Sequence, residues 1–380
     1  MVRRRKAIRS FLLDVLCTPI FLVHRIALRL DDWLYPSLHS VPITKPLFIV
    51  GLPRSGTTLL HRLIASDQTV FTTLPLWESL LAPAVCEKRF FRRIRKIDRW
   101  FGSPLWRILC AIQQTMAMTV QDVHATDLQS PEEDYLALLP FGGCFLRVIS
   151  SPWNADVWKL GHFSDQLEPP RQKELISTYK RILQRHLFFR GQHLVLLSKN
   201  PSLTSWLPAL AEEFPDACFV GLRRVPHQSV PSQLSSLRSG MALFGTDVAE
   251  SEIVDRFVRL LASYWRVLDH ANEVLPSTRF QLIAYEQLIR NSYSLASRIL
   301  DQFGFSLSEQ GLAKLEHHCS RQREYRSSHR YCLEEFGLDH RQLYLVFGSE
   351  AARECLDRVT VGLTSFETPD PPTSIFKAMP

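Results

Sequence analysis

The chain has 380 residues, of which 46 % are hydrophobic and 22 % charged, and its formal net charge is +7. This composition excludes an intrinsically disordered chain and predicts a globular protein with a substantial core. The positive excess is local: five basic residues lie within residues 3–9, and seven, against one aspartate, lie within Lys88–Arg99. These clusters could contact nucleic acid, anionic lipid or an acidic substrate, or they could be solvated helix faces.

The eight cysteines are spread along the chain without any C-x-x-C pair. This usage predicts reduced thiols in a cytoplasmic protein and no disulfide framework. Cys319 follows His317 and His318, but adjacent side chains on a helix point in different directions. We therefore predict no metal site there.

The N-terminal residues 1–42 combine a basic start with an apolar run and are predicted to form an amphipathic leader helix. Asp14 and Pro19 interrupt the run, which is shorter than the about 20 residues needed to span a bilayer. No small-residue cleavage site is evident, so a signal peptide is not predicted. The helix could dock on the rest of the protein or lie in a membrane interface.

Four apolar runs of the β type follow, at residues 47–52, 194–199, 218–223 and 280–286, and they alternate with helical patterns. This alternation predicts an α/β fold with a central parallel sheet that is flanked by helices on both faces. Residues 43–380 are predicted to form a single domain. A large helical insertion at about 75–190, after the first strand and helix, is a candidate lid and acceptor pocket.

The segment GLPRSGTT, residues 51–58, joins the first predicted strand to a helix. Gly51 and Gly56 have the spacing of a phosphate-binding loop, whose backbone N–H groups surround an anion at a helix N-terminus. Thr57 stands where a nucleotide-hydrolysing loop has its lysine, which argues against triphosphate hydrolysis with Mg²⁺. The predicted anion ligands are Arg54, Ser55, Gly56, Thr57 and Thr58.

A second motif, RRVPHQSVPS, follows the predicted strand at residues 218–223. Arg224 and Ser232, at this next strand-to-helix turn, could bind a second phosphate across a nucleotide. Together with GLPRSGTT, SKNP and YEQL, the motif resembles the bacterial-type sulfotransferases that use 3′-phosphoadenosine 5′-phosphosulfate (PAPS). The resemblance covers residues 46 to about 345. One departure is Val225, where many relatives have aspartate.

This resemblance implies a P-loop-like three-layer sandwich and transfer of a sulfuryl group from PAPS to a hydroxyl or amine. In the family, the glycine-rich loop binds the 5′-phosphosulfate, and Arg224 and Ser232 match the ligands of the 3′-phosphate. PAPS is then a co-substrate, 3′,5′-ADP the product, and no metal is expected. The transfer is an in-line displacement that needs a general base for the acceptor's proton.

Three candidates for the general base precede the second motif. Glu78 stands where the resembling family has its catalytic carboxylate, and His124 offers an imidazole suited to neutral pH. The third candidate is the acidic triplet Glu132, Glu133 and Asp134, which could equally serve as helix-capping residues.

Lys199 lies at the carboxyl end of a predicted strand and faces the presumed ligand crevice. It could stabilise the leaving phosphate or the sulfuryl oxygens, or it could form a structural salt bridge. Arg326, His329 and Arg330 lie in a late polar stretch that, in the family's layout, would close over the nucleotide.

Two other functions compete with sulfuryl transfer. The glycine spacing alone would also suit a P-loop kinase or NTPase, and a protein without an acceptor-side base could be a non-catalytic, membrane-associated nucleotide binder. Nucleic acid is not a predicted partner, because no nucleic-acid-binding signature accompanies the basic clusters.

The acceptor is predicted to be a small or lipid-like hydroxylated molecule. Residues 86–101 form a cationic amphipathic pattern, with Phe90, Ile94 and Ile97 on one side and arginines largely on another. Such a helix could face the core with a solvated back, or it could contact an anionic membrane. The second alternative predicts a cytoplasmic enzyme that is peripheral on the inner membrane face.

Overall fold

The computed structural model describes residues 2–108, 128–323, 331–348 and 351. His124, Arg326, His329 and Arg330 lie outside these ranges, so their predicted roles have no structural counterpart here.

The centre of the fold is a sheet of five parallel strands in the order β2-β3-β1-β4-β5. The strands are β1 (Leu47–Gly51), β2 (Phe71–Thr72), β3 (Val195–Lys199), β4 (Cys218–Arg223) and β5 (Phe280–Ala284). All four predicted strands are present, and the parallel α/β fold is confirmed. The sequence missed β2, because a strand of two residues is too short to show a period.

Helices cover both faces of the sheet, as predicted. Successive side chains of a strand point to opposite faces, and in β1 Phe48 and Val50 belong to one buried cluster while Leu47 and Ile49 belong to another. The first cluster includes apolar residues of the helices Pro169–Arg190, Pro226–Leu243 and Ser251–Val274, and the second includes those of the helices Thr57–Ile64 and Ser292–Gln302. Within the described ranges the helices are α1 (Val2–Leu34), α2 (Thr57–Ile64), α3 (Leu76–Leu81), α4 (Val85–Trp100), α5 (Ala155–Gly161), α6 (Phe163–Gln166), α7 (Pro169–Arg190), α8 (Leu207–Glu213), α9 (Pro226–Leu243), α10 (Ser251–Val274), α11 (Tyr285–Arg290), α12 (Ser292–Gln302), α13 (Glu309–Arg323) and α14 (His340–Phe347).

Short 3-10 helices complete the described secondary structure. They span Pro36–Ser40, Asp134–Phe141, Phe145–Val148, Pro201–Trp206 and Glu334–Phe336. Three of them, Asp134–Phe141, Phe145–Val148 and Pro201–Trp206, contribute side chains to a cavity beside the loop after β1. Their tighter turns bring these side chains close to the loop.

The leader helix α1 docks on the rest of the protein through its C-terminal half. His24 Nδ1 lies 2.7 Å from Glu87 Oε1 of α4. Asp31 accepts hydrogen bonds from the first two backbone amides of α4, at 2.6 and 2.9 Å, and from Arg185 Nε at 3.2 Å. Asp31 therefore caps α4, whose own N-cap residue is an alanine without a capping oxygen. These contacts support the docking alternative, while the division at residue 42 stays a prediction.

No helix in the described part of the chain combines the length and the apolar character that crossing a bilayer requires.

Candidate functional site

The loop after β1 has a backbone that only particular residues accept. Gly51 has φ +133°, and a Cβ atom there would lie 2.0 Å from the carbonyl oxygen of Leu222 in β4. Gly56, just before α2, has φ +88°. Between them Arg54 has φ +64°, a left-handed conformation that costs a non-glycine residue about 1–2 kcal/mol. Strain of this kind at a loop tip indicates a functional constraint.

The loop directs backbone amides toward the space in front of α2. The amides of Ser55, Gly56, Thr57 and Thr58 donate to no backbone carbonyl among the described residues. They lie at the positive end of the helix, so an anion can accept their hydrogen bonds. One predicted ligand needs correction: the hydroxyl of Ser55 is buried and donates to the carbonyls of Leu52 and, at 3.1 Å, Leu222. Of the polar groups of Ser55, the backbone amide is therefore the one that can bind an anion, together with the amides of the next three residues.

The two predicted anion motifs meet in the structure. Arg54 Nε donates to Ser232 Oγ at 3.2 Å, and Arg224 donates to the carbonyl oxygen of Arg54 at 3.4 Å. The Arg224 guanidinium also lies 4.4 Å from the centroid of the Tyr285 ring. Residues 170 positions apart in the chain thus form one cationic cluster at the carboxyl edge of the sheet, where open α/β sheets bind ligands.

A cavity of about 230 Å³ opens beside this cluster. Arg54, Thr57, Thr58 and Glu133 line it on the polar side. Its apolar lining comes from the 3-10 helix Phe145–Val148, from Leu237 of α9 and from the middle of α10, while α9 also contributes the polar Gln233 and Ser236. Within the described ranges, no group of three or more metal-ligating side chains lies together. The cavity therefore joins charged groups near the loop to an apolar compartment.

Glu133 and Lys199 form an ion pair next to the loop. Lys199 Nζ lies 3.2 Å from Glu133 Oε1, and Lys199 is almost completely buried at the end of β3. A buried ammonium group requires a partner, and Glu133 provides it. The Glu133 side chain keeps 28 % of its surface exposed. It is therefore both paired and accessible from the cavity.

The other two carboxyl groups of the acidic triplet have different surroundings. Asp134 is buried and accepts a hydrogen bond from the Tyr179 hydroxyl at 2.7 Å. Burial outweighs that bond and raises the pKa of Asp134 to about 6. Burial also raises the pKa of Glu132. Tyr179 contacts Ser198 of β3 as well, so Asp134 links the 3-10 helix that it begins to α7 and the sheet.

The surroundings of Glu78 do not favour its predicted role as the general base, which stays a prediction. Its carboxylate is completely buried and accepts hydrogen bonds from His186 Nδ1 at 2.7 Å and Arg190 Nε at 2.9 Å, with Lys88 Nζ at 3.7 Å. Burial alone would raise the pKa of Glu78, but these neighbours outweigh it and lower the pKa to about 2. A carboxylate of this acidity is a poor proton acceptor at neutral pH.

The position of Glu78 explains the difference. His186, its hydrogen-bond partner, contacts Thr72 of β2 at 2.8 Å, and Thr72 pairs with Leu196 near the start of β3. Lys199 is the last residue of β3, three positions after Leu196, and it pairs with Ile49 of β1. Glu78 thus lies beside the amino half of β3, whereas the loop and Glu133 lie at its carboxyl end. Glu78 is not among the residues that line the cavity.

Two residues of the site were not predicted from the sequence. Thr204 Oγ1 accepts from the Gly51 amide at 2.8 Å and donates to the Pro201 carbonyl at 2.7 Å, which holds the end of β1 in place. No sequence signal distinguishes this threonine. Tyr285 begins the YEQL segment, but only its contact with Arg224 reveals a role in the cationic cluster.

Comparison with known proteins identifies the family. The model of the sulfotransferase family matches residues 46–309, which is more than half of the chain. The chain therefore belongs to the sulfotransferase family, of the bacterial type, and the protein is a transferase. This assignment disfavours the kinase or NTPase alternative, in agreement with Thr57 at the lysine position.

Among curated proteins, the chain is similar to omega-hydroxy-beta-dihydromenaquinone-9 sulfotransferase Stf3 of Mycobacterium bovis. The two are 27 % identical over 293 residues, which is 74 % of this chain and 69 % of the relative. The Stf3 protein of Mycobacterium tuberculosis matches equally.

Two solved structures share the fold. Sulfotransferase STF9 from Mycobacterium avium has a TM-score of 0.69 and 21 % identity, covering 89 % of this chain and 83 % of its own. Sulfotransferase STF1 from Mycobacterium tuberculosis has a TM-score of 0.64 and 20 % identity, covering 86 % and 83 %.

Proposed function

We propose that this enzyme transfers the sulfuryl group of PAPS to the hydroxyl group of a lipid-like acceptor. The observation that carries the proposal is the convergence of Arg54, Arg224 and Ser232 with the free amides of the loop after β1. One nucleotide with anionic groups at both its 5′ and its 3′ positions fits this pair of sites. A triphosphate would lack the lysine that it requires.

In this proposal the loop amides, Arg54 and Thr57 bind the 5′-phosphosulfate, while Arg224 and Ser232 bind the 3′-phosphate. The contact between Arg54 and Ser232 brings the two sites within reach of one ligand. The Tyr285 ring, 4.4 Å from the Arg224 guanidinium, helps to hold this side chain in place. Arginine is suited to both sites, because its planar donors match the oxygens of phosphate and sulfate.

Glu133 replaces Glu78 as the proposed general base. The acceptor oxygen attacks sulfur, the bond between sulfur and the bridging phosphate oxygen breaks, and the acceptor proton passes to the Glu133 carboxylate. Lys199, paired with Glu133, stabilises the negative charge on the transferred group and on the leaving 3′,5′-ADP. His124 stays an alternative base, since it lies outside the described residues.

The acceptor is proposed from the cavity and from the relative's name. The cavity of about 230 Å³ is smaller than the about 300–1,000 Å³ that encloses a drug-sized ligand, so one end of a long acceptor would enter it. Stf3 is named for an omega-hydroxylated menaquinone. A terminal hydroxyl on an apolar chain fits a cavity that is lined by charged groups near the loop and by apolar side chains elsewhere, and such an acceptor implies peripheral contact with a membrane.

Titration calorimetry with 3′,5′-ADP in the presence of EDTA tests the donor site, with 5′-ADP as the matched control. We expect the 3′-phosphate to strengthen binding. Equal affinity for the two nucleotides would contradict the assignment of Arg224 and Ser232. Mass spectrometry of an omega-hydroxylated prenyl chain incubated with PAPS and enzyme should then show the gain of one SO₃ group, and no gain on any hydroxylated lipid would contradict the acceptor class.

A further inference from the structure

The docked half of α1 has an unpartnered apolar side. His24, Ala27, Leu28 and Asp31 face the protein and are buried. Other side chains of this helix are apolar yet exposed, with Trp33 at 76 %. The exposed apolar residues of α1 are Val15, Leu16, Ile20, Leu22, Val23, Ile26, Leu30, Trp33 and Leu34.

The apolar side of α4 is exposed as well. The sequence left two alternatives for this helix, and the core-facing one is wrong, because Phe90 and Ile97 are exposed by 58 % and 57 %. Trp100 and Phe101, at its C-terminal end, are even more exposed. The buried residues of α4 are instead Val85, Lys88 and Asp98, and Lys88 pairs with Glu78. Amphipathic helices usually turn the apolar side to the core, so α4 is reversed.

These two helices contact each other through His24 and Glu87 and through Asp31. We call the exposed apolar residues of α1 and α4, with the basic residues between them, the α1–α4 surface. Exposed apolar side chains grouped on two contacting helices indicate an interaction site.

The charges beside the apolar residues are almost all positive. Arg93, Lys96 and Arg99 are exposed on α4. The two acidic residues of α4 are engaged elsewhere, because Glu87 pairs with His24 and Asp98 is buried and accepts from the backbone amides of residues 105 and 106. Among the described residues, neither acidic residue of α4 therefore offsets the exposed positive charges of this helix.

A second group of cations adjoins α1. A cavity of about 460 Å³ between α1 and α7 is lined by five arginines against two acidic residues. Three of the five, Arg25, Arg29 and Arg181, have no carboxylate within salt-bridge distance in the described part of the chain, although Arg25 donates to the Pro140 carbonyl. The arginines are Arg25, Arg29, Arg171, Arg181 and Arg185.

We propose that the α1–α4 surface docks on an anionic lipid bilayer. Apolar and aromatic side chains that are interleaved with arginine and lysine match an acyl-chain boundary beneath anionic headgroups. A second copy of the chain is a poorer occupant, since a self-complementary contact would oppose two uncompensated cationic sets. The lipid phosphates supply the anions that this chain lacks here.

This inference rests on the proposed function for its purpose, because docking would let a lipid acceptor reach the cavity without leaving the membrane. The test of docking does not depend on the proposed function, because the test requires neither PAPS nor an acceptor.

Vesicle sedimentation with the full chain is the test. We expect binding to vesicles of phosphatidylcholine with phosphatidylglycerol at low salt, and weaker binding to phosphatidylcholine alone. Each basic residue near such a surface strengthens binding about fivefold. The triple variant Arg93→Glu, Lys96→Glu and Arg99→Glu should therefore weaken binding at least about 100-fold.

The matched charge control is Arg290→Glu, Arg298→Glu and Lys314→Glu, three exposed residues on α11, α12 and α13. For the apolar part, Phe90→Ser, Ile97→Ser and Phe101→Ser should weaken the binding that persists at high salt. Its control is Val274→Ser, Ile289→Ser and Leu345→Ser, which are similarly exposed. Both controls should bind vesicles like the wild type.

Absence of vesicle binding by a chain that binds 3′,5′-ADP would overturn the proposal. Equal losses in the surface variants and their controls would also overturn it. A dimer in sedimentation velocity that dissociates only in the surface variants would overturn the proposal too, because a second copy of the chain would then occupy the α1–α4 surface. Vesicle binding without any SO₃ transfer would refute the proposed function alone, and transfer to a water-soluble short-chain alcohol without vesicle binding would refute docking alone.

Discussion

Two glutamates, one at each end of β3, differ in every property that matters for catalysis. Glu78 lies near the start of the strand, is completely buried, and has a pKa of about 2. Glu133 lies at the end of the strand, contacts a single lysine, and lines the cavity beside the loop. Strong, multiple partners make a carboxylate a structural element, whereas one partner and partial access leave it able to accept a proton.

The largest effect is expected for Glu78→Gln. It leaves the completely buried Lys88 without its counter-charge, so we expect a loss of about 3–5 kcal/mol in the free energy of unfolding. Urea unfolding measures this loss. Glu252→Gln, which breaks the exposed pair with Arg256, is the control and should cost less than about 1 kcal/mol. A Glu78→Gln enzyme with normal stability and low turnover would reverse the comparison.

The second effect is expected for Glu133→Gln, which keeps an amide oxygen for Lys199 but removes the proton acceptor. The value of kcat should fall by about 10² to 10⁴, while the affinity for 3′,5′-ADP stays nearly unchanged. The melting temperature should fall as well, because the buried Lys199 loses its counter-charge. Glu132→Gln is the matched neighbour and should leave kcat nearly normal. A normal kcat for Glu133→Gln would leave His124 as the base.

The stabilising effect of Glu78 should also depend on pH in one direction. Its pKa falls from the usual 4.5 to about 2 on folding, so the unfolded chain binds its proton first as the pH decreases. The stability due to Glu78 is complete above about pH 4.5 and is lost as the pH falls toward 2. Urea unfolding at pH 7, 5, 4 and 3 should show the gap between wild type and Glu78→Gln narrowing. A constant gap would contradict the ion cluster.

At the carboxyl edge, Arg224→Ala should weaken binding of 3′,5′-ADP by about 1.5–3 kcal/mol, the range for a charge-assisted hydrogen bond. Arg223→Ala is the neighbouring control, because Arg223 pairs with Asp269 and lies over Trp265. That control should change stability and not affinity. Calorimetry measures both affinities, and the opposite ranking would move the 3′-phosphate site to Arg223.

The smallest effect is expected for Ser232→Ala, which removes one hydroxyl that contacts Arg54. The affinity for 3′,5′-ADP should fall by about 0.5–1.5 kcal/mol, and stability should hardly change. Ser235→Ala on the same helix is the control. A loss of stability without a loss of affinity would indicate that the contact serves the fold alone.

Much of the proposed nucleotide site was predictable, because each half is a local pattern. Gly51, Arg54 and Gly56 follow a buried strand, and Arg224 and Ser232 follow another, so parallel strands bring both halves to one edge. The base was not predictable in the same way. Glu78 and Glu133 both precede β3 in the chain, and spacing says nothing about which edge of the sheet each side chain reaches.

The sequence by itself determined the parallel sheet, the anion loop and the family, since periodicity and turn residues act over a few neighbouring positions. Only the tertiary structure decided that the Ser55 hydroxyl turns inward, that Glu78 is enclosed by Lys88, His186 and Arg190, and that α4 turns its aromatic side outward. Each of these depends on residues distant in the chain. An amphipathic pattern states that two sides of a helix differ, but packing against the other elements chooses which side is buried.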